Sequence, residues 1–153
     1  MKGDARAGDQ GSDSDRARLG SFEQATHAAR AGDFDGVGFA FLPGDGLLGI
    51  DLDGMVDADT GEVSERMRAI LTACGSYAEY SPSGTGVHVI CTLPAEIESA
   101  WVAAGRRLAF KSNKIGVEVF SGRQFFTWTG RSFDELPLLV SPITEPVLRR
   151  LYA

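Results

Sequence analysis

The stretch Gly49-Ile50-Asp51-Leu52-Asp53-Gly54 constrains this chain more than any other. Its residues alternate apolar and acidic, and side chains on a strand point alternately to opposite faces with a rise of roughly 3.3 Å per residue. Ile50 and Leu52 therefore enter a core while Asp51 and Asp53 share the other face. The fold must contain a sheet that is buried on one side and carries acids on the other. Two carboxylates placed so close repel each other unless a cation lies between them, which is what a two-metal phosphoryl-transfer site requires. A pair of turn aspartates at a strand end is the plainer alternative.

The rest of the chain supplies partners for such a sheet. Val37-Gly38-Phe39-Ala40-Phe41-Leu42 and the run from Leu47 to Asp53 flank Pro43-Gly44-Asp45-Gly46, and they read as an antiparallel hairpin. Strands are expected over Tyr77–Ser81 and Val87–Thr92, around Ser83-Gly84-Thr85-Gly86. A second hairpin, Ile115–Phe120 with Gln124–Thr129, is expected around Ser121-Gly122-Arg123. Helices fit between them. Ser21-Phe22-Glu23-Gln24 has the spacing of a capping box before a helix ending near Gly32, and His27 within it reads as a surface or packing residue. Met67, Ile70, Leu71 and Cys74 recur at helical spacing over Val63–Cys74, with Gly75 as the stop. Further helices fit Ala95–Ala104, ended by Gly105, and Glu145–Tyr152 after Pro142. Helices interspersed with antiparallel strands indicate an α+β sandwich, not a doubly wound parallel sheet. Residues 1–20 are polar and lack aromatics, so they read as a disordered tail, leaving one domain over 21–153.

Several classes are excluded. No apolar run approaches the roughly 20 residues needed to span a bilayer, and the first residues lack the apolar centre of a secretory signal. Cys74 and Cys91 fit neither a disulfide framework nor a zinc knuckle, and idle thiols suit the expected cytoplasmic setting. Neither a Walker phosphate loop nor an EF-hand is present, and Asp57 and Asp59 are expected to shape a turn with Gly61. The formal charge of -6 argues against a protein that simply coats nucleic acid. Between Gly105 and Arg131, however, Arg106, Arg107, Lys111, Lys114, Arg123 and Arg131 face Glu118 as the only acid. Such a stripe could hold a triphosphate or a template backbone, or it could be a solvated basic face.

Two further groups carry chemistry. In Ser81-Pro82-Ser83-Gly84-Thr85-Gly86-Val87-His88, Gly84 and Gly86 allow close backbone approach to a ligand, and Ser83 and Thr85 supply hydroxyls. His88, on the strand that follows, can donate to a phosphate oxygen; the alternative is a buried histidine bonded to a carbonyl. In Gly116-Val117-Glu118-Val119-Phe120, a carboxylate in an apolar strand needs a cation or a hydrogen-bond partner. If that strand lies beside the Asp51 strand, Glu118 becomes a third acidic ligand; otherwise it is an edge residue facing water.

The ordered set Asp51-x-Asp53, Ser83-x-x-x-x-His88, Glu118 and Arg123-Gln124-Phe125-Phe126-Thr127-Trp128-Thr129-Gly130 resembles the archaeo-eukaryotic primase superfamily. The likeness is to the primase-polymerase domains of phages, plasmids and other mobile elements. Ser21-Phe22-Glu23, Asp35-Gly36-Val37-Gly38-Phe39 and Asp59-Thr60-Gly61-Glu62 are also similar to that group, so the resemblance runs from about Ser21 to Gly130. It implies an RRM-like mixed or antiparallel sheet with packed helices, and template-directed nucleotidyl transfer to DNA with Mg²⁺ or Mn²⁺. It implies Asp51, Asp53 and Glu118 as metal ligands, and Ser83 and His88 as contacts to the nucleotide's phosphates. Gly84, Thr85, Gly86 and Arg123 join the expected nucleotide site, and Arg106, Arg107, Lys111 and Lys114 the expected nucleic-acid contacts. The expected partners are nucleoside triphosphates and a single-stranded DNA template, with a helicase, an initiator or a further domain needed for efficient priming. A catalytically silent module that binds nucleotide or single strands is the alternative, with Phe125, Phe126 or Trp128 stacking on bases. A metal-dependent nuclease is a third.

Overall fold

The computed structural model describes residues 12–32 and 34–152. In chain order the elements are α1 (Asp13–Arg18), α2 (Phe22–Ala31), β1 (Val37–Phe41), β2 (Leu47–Leu52), α3 (Glu65–Cys74), β3 (Ala78–Tyr80) and β4 (Val87–Thr92). They continue with α4 (Ala95–Ala103), β5 (Phe110–Ser112), β6 (Val117–Phe120), β7 (Gln124–Trp128), β8 (Ser141–Pro142) and α5 (Glu145–Leu151). The class is α+β, as the sequence indicates.

The main sheet has the order β3-β4-β2-β6-β5, with all these neighbours antiparallel. β8 joins it, parallel to β4, beyond the end of β3. β2 sits at the centre, and its alternation works as expected: Leu48, Ile50 and Leu52 are 0% exposed, whereas Asp51 is only half-buried. Val87, Val89, Val117 and Val119 extend that apolar face across β4 and β6. Onto it pack Met67, Ile70, Leu71 and Cys74 of α3, Trp101 of α4, and Val147, Leu148 and Leu151 of α5. Each large aliphatic side chain so buried is worth about 1.5–3 kcal/mol. Cys74 and Cys91 lie within this core as free thiols.

The helix signals hold to within a residue or two. Ser21 caps α2 in a reciprocal box with Gln24, and Gly75 ends α3 in the left-handed conformation (φ 53°). Asp57 accepts from the backbone of Asp59 and Thr60, closing the expected turn. Of the polar tail, residues 1–11 lie outside the described residues. After them, Asp13–Arg18 is a helical turn, and Arg16 donates to the Pro43 carbonyl at 2.7 Å.

Neither expected hairpin forms. β1 does not pair with β2, nor β6 with β7. Instead β1 pairs with β7 in a separate antiparallel ribbon, while β2 and β6 pair within the main sheet. The two turns are corners at which a paired couple of strands passes from one sheet to the other. Asp45 braces the first corner by accepting from the backbone N–H groups of Leu42 and Leu47 at 2.7 and 2.9 Å. The corners touch: a Cβ on Gly122, itself at φ 83°, would lie 2.7 Å from the Pro43 nitrogen. Only glycine allows that crossing.

The ribbon folds onto the far side of the main sheet through Phe41, Phe120 and Phe126, whose rings meet edge to face with centroids 5.0–5.2 Å apart. Gly49 makes room for them, since a Cβ there would fall 2.4 Å from the Phe120 ring. This second core covers only part of the face opposite the helices. The rest of that face stays open.

Candidate functional site

The open part of the sheet carries a polar row running across five adjacent strands. Glu79 of β3 stands opposite His88 of β4, His88 opposite Asp51 of β2, Asp51 opposite Glu118 of β6, and Glu118 opposite Lys111 of β5. Directly opposed residues on one face have Cβ atoms roughly 4.5–5.5 Å apart. The strand of Glu118 is therefore the immediate neighbour of the Asp51 strand. A cavity of about 530 Å³ opens over the row, floored by Asp51, His88 and Glu118 and walled by Pro82, Gln124, Phe125 and Phe126.

Asp51 is the stressed member of the row. Its carboxyl is pushed up to about 6, chiefly by burial and then by the charges of Asp53 and Glu118, with Lys111 acting in the opposite direction. Its Oδ1 is buried without a hydrogen-bond partner. His88 Nε2 stands 3.7 Å from it, beyond hydrogen-bond reach. Asp53 follows the end of β2 and is exposed; its backbone N–H donates to the Gly116 carbonyl at 2.8 Å.

His88 is 7% exposed and lies flat on Phe126, ring centroids 4.0 Å apart and planes 6° off parallel. Burial lowers its pKa, against the opposing pull of Glu79, Asp53 and the Thr127 backbone. The imidazole is thus held neutral at pH 7, with one nitrogen to donate and one to accept. Its Nδ1 has no partner.

The Ser83–Gly86 turn lies against the end of β2. A Cβ on Gly86 would meet the Leu52 carbonyl at 2.7 Å and Asp53 Oδ1 at 3.4 Å, so the missing side chain brings this turn beside Asp53. Ser83 Oγ lies 3.0 Å from Ser81 Oγ and 2.9 Å from Thr85 Oγ1, a short chain of hydroxyls. Gly84 takes φ 77° at the apex. Arg123 occupies the exposed corner between β6 and β7 with φ 54°, a left-handed conformation uncommon for a side-chain-bearing residue.

The basic residues do not form one stripe. Lys111 faces the carboxylate row and donates to Glu118 Oε2 at 2.6 Å. Phe110, its neighbour on β5, points to the helix side, where Arg106, Arg107 and Arg149 line a separate cavity with Trp101 and Tyr152. Arg106 lies 4.7 Å over the Trp101 ring. Lys114 is exposed in the turn before β6.

Glu79 is the member of the row that sequence reasoning missed. It is 2% exposed and fully engaged, accepting from Tyr77 Oη at 2.7 Å and from the backbone of Thr129 and Gly130 at 2.8 and 3.0 Å. It therefore pins the far end of β7, the strand whose Phe126 backs His88. The alternation Ala78-Glu79-Tyr80 carried the same signal that singled out Glu118.

Chemically, the acidic members of the row and the adjoining Asp53 offer carboxylate oxygens, which suit a hard divalent cation such as Mg²⁺ or Mn²⁺. A cation would give the buried Asp51 oxygen a partner and offset the repulsion by Asp53 and Glu118 that adds to burial in raising its pKa. As the side chains stand, no group of three or more His, Cys, Asp or Glu among the described residues is arranged to hold a metal. Glu118 is turned to Lys111.

No family model matches this chain. It is 30% identical over 129 residues to a DNA primase-polymerase of Nitratiruptor phage NrS-1, an alignment that covers 83% of this chain and 17% of that protein. The matched region is thus a small part of the relative's length. Among the described residues no helix is long and apolar enough to cross a membrane.

Proposed function

We propose that this chain is a nucleotidyl-transfer domain of the archaeo-eukaryotic primase kind. On this reading it extends DNA from nucleoside triphosphates on a single-stranded template in the replication of a phage or other mobile element. The sheet would then be the RRM-like catalytic core of that group. One observation carries the reading: Asp51 and Glu118 sit directly opposite each other on the open face of the sheet, with His88 on the other side of Asp51. The relative is named as a DNA primase-polymerase, which supports the same conclusion.

In this proposal Asp51, Asp53 and Glu118 hold Mg²⁺ or Mn²⁺, with Asp51 Oδ1 gaining the partner it lacks. Bound there, the cation supplies charge neutralisation at the triphosphate and activation of the attacking 3′-hydroxyl. The chain's own groups orient the substrate. The turn Ser83-Gly84-Thr85-Gly86 presents hydroxyls and backbone N–H groups beside Asp53, where phosphate oxygens would lie. His88, neutral and braced by Phe126, donates one hydrogen bond to a phosphate without adding charge. Arg123, at the corner that precedes the wall residues Gln124 and Phe125, is the cation that would meet the nucleotide from that side. The Phe125 and Phe126 wall excludes water from one side of the cavity, which strengthens every charge interaction within it.

Contacts to the template would come from Lys114, Arg106 and Arg107. Because Arg106 and Arg107 lie on the helix side, such contacts are few on the face of the carboxylates, and binding to single-stranded DNA should be weak and salt-sensitive. Efficient priming would then need a further domain, a helicase or an initiator.

The test is primer extension with Mn²⁺ and all four deoxynucleotides, comparing the wild type with Asp51→Asn and Asp53→Asn. Incorporation that both variants abolish while keeping their fold supports the assignment. Normal extension by either variant rejects it. The orientation of Glu118 toward Lys111 favours a second reading, a silent module that binds nucleotide or single strands. Wild-type binding of nucleotide without incorporation under Mg²⁺ or Mn²⁺ would select it.

A further inference from the structure

We infer that Lys111 is the built-in counter-ion of the carboxylate row and competes with a divalent cation for Glu118. The inference rests on the metal-binding reading above and adds to it the residue that opposes loading. Lys111 lies directly across from Glu118, and Glu118 directly across from Asp51. The ammonium Nζ reaches Glu118 Oε2 at 2.6 Å. One Glu118 oxygen is thus engaged by Lys111, on the edge strand, while Asp51 Oδ1 has no partner. If Glu118 helped to hold a divalent ion, the Lys111 ammonium would compete for the same carboxylate and repel that ion. Loading must therefore loosen the Lys111–Glu118 pair. The geometry permits this: the Lys111 side chain is 59% exposed, and its four-carbon stem can swing to solvent without disturbing the core.

The substitutions that test this are Lys111→Met, which keeps the stem and removes the charge, and Lys111→Arg, which keeps the charge. Mn²⁺ binding without nucleotide, followed by calorimetry or by the paramagnetic resonance of free Mn²⁺, is the readout. Lys111→Met should bind Mn²⁺ about fivefold or more tightly than the wild type, and Lys111→Arg should stay near the wild type. Wild-type binding that Lys111→Met leaves unchanged or weakens overturns the role of Lys111 alone. A wild-type chain that takes up no Mn²⁺ at millimolar concentration overturns the carboxylate site and this inference together. A second measurement needs no variant. Acetylation of the wild-type lysines, read by mass spectrometry, should be slow at Lys111 and rise when Mn²⁺ is added, relative to exposed Lys114. A Lys111 rate that Mn²⁺ does not change overturns the competition.

Discussion

Replacing Asp51 by Asn should make the metal-free protein more stable while abolishing the proposed nucleotidyl transfer. The carboxyl of Asp51 is raised from an ordinary 3.8 to about 6, first by burial and then by Asp53 and Glu118. The folded chain therefore holds that proton more tightly than the unfolded chain does. Stability from this group is full below pH 3.8, declines as the pH rises, and is lost once the pH passes about 6. At pH 7.5 the ionised carboxylate costs about 3 kcal/mol. Asn keeps the shape and removes the charge, and its amide can donate toward a neighbouring carboxylate. Some of the gain is offset by imperfect hydrogen bonding of the buried amide, leaving a net stabilisation of about 1–3 kcal/mol. For a chain of this size that raises the melting temperature by roughly 3–10 °C. The assay is thermal unfolding by circular dichroism in EDTA, at pH 7.5 and pH 4. The gap between variant and wild type should nearly close at pH 4, where the wild-type carboxyl is protonated in the fold. Saturating Mn²⁺ should reverse the order, because only the wild type gains binding energy on folding. An Asp51→Asn protein that melts at or below the wild type at pH 7.5, or a gap independent of pH, would refute the argument that the site is held under electrostatic strain.

Other outcomes follow from neighbouring contacts. Glu79→Gln exchanges an accepting oxygen for an amide beside Tyr77 Oη and the Thr129 and Gly130 N–H groups, and should cost about 1–3 kcal/mol in urea unfolding; an unchanged midpoint would show that β7 is held elsewhere. Gly49→Ala places a Cβ 2.4 Å from the Phe120 ring and should destabilise by about 1–3 kcal/mol or more, so a variant as stable as the wild type would contradict the close packing of the second core. His88→Ala should raise the KM for nucleotide with a modest fall in stability from the lost stack on Phe126. If it only unfolds the chain, and the folded remainder binds nucleotide normally, His88 is a packing residue. Single-stranded DNA binding should fall steeply between 50 and 200 mM salt, and tight binding at the higher salt would contradict the scarcity of phosphate contacts on the carboxylate face.

Most local structure was legible in the sequence because its causes lie within a few residues of each other. The Ser21–Gln24 box, the spacing of Met67, Ile70, Leu71 and Cys74, and the left-handed stop at Gly75 each act through neighbours one to four positions away. The alternation in Gly49–Gly54 likewise determined that Ile50 and Leu52 are buried and that Asp51 faces the other way. What the sequence could not decide was partnership. Pro43-Gly44-Asp45-Gly46 and Ser121-Gly122-Arg123 each permit a sharp change of direction, and the same residues serve a hairpin or a corner between sheets. The choice rests on burial far along the chain: β2 gains partners on both edges and a helix layer beneath it, while Phe41 and Phe126 close a second core only if β1 meets β7. That choice also built the polar row. Once β2 lies between β4 and β6, register alone places Glu79, His88, Asp51, Glu118 and Lys111 side by side, although they span residues 51–118 in the sequence. Lys111 stands in that row while Arg106 and Arg107, in the loop before β5, line the helix-side cavity, although a charge tally had merged them into one stripe. Adjacent side chains on a strand point to opposite faces, so closeness in sequence says nothing about sharing a surface. Tertiary structure alone decides which charges meet.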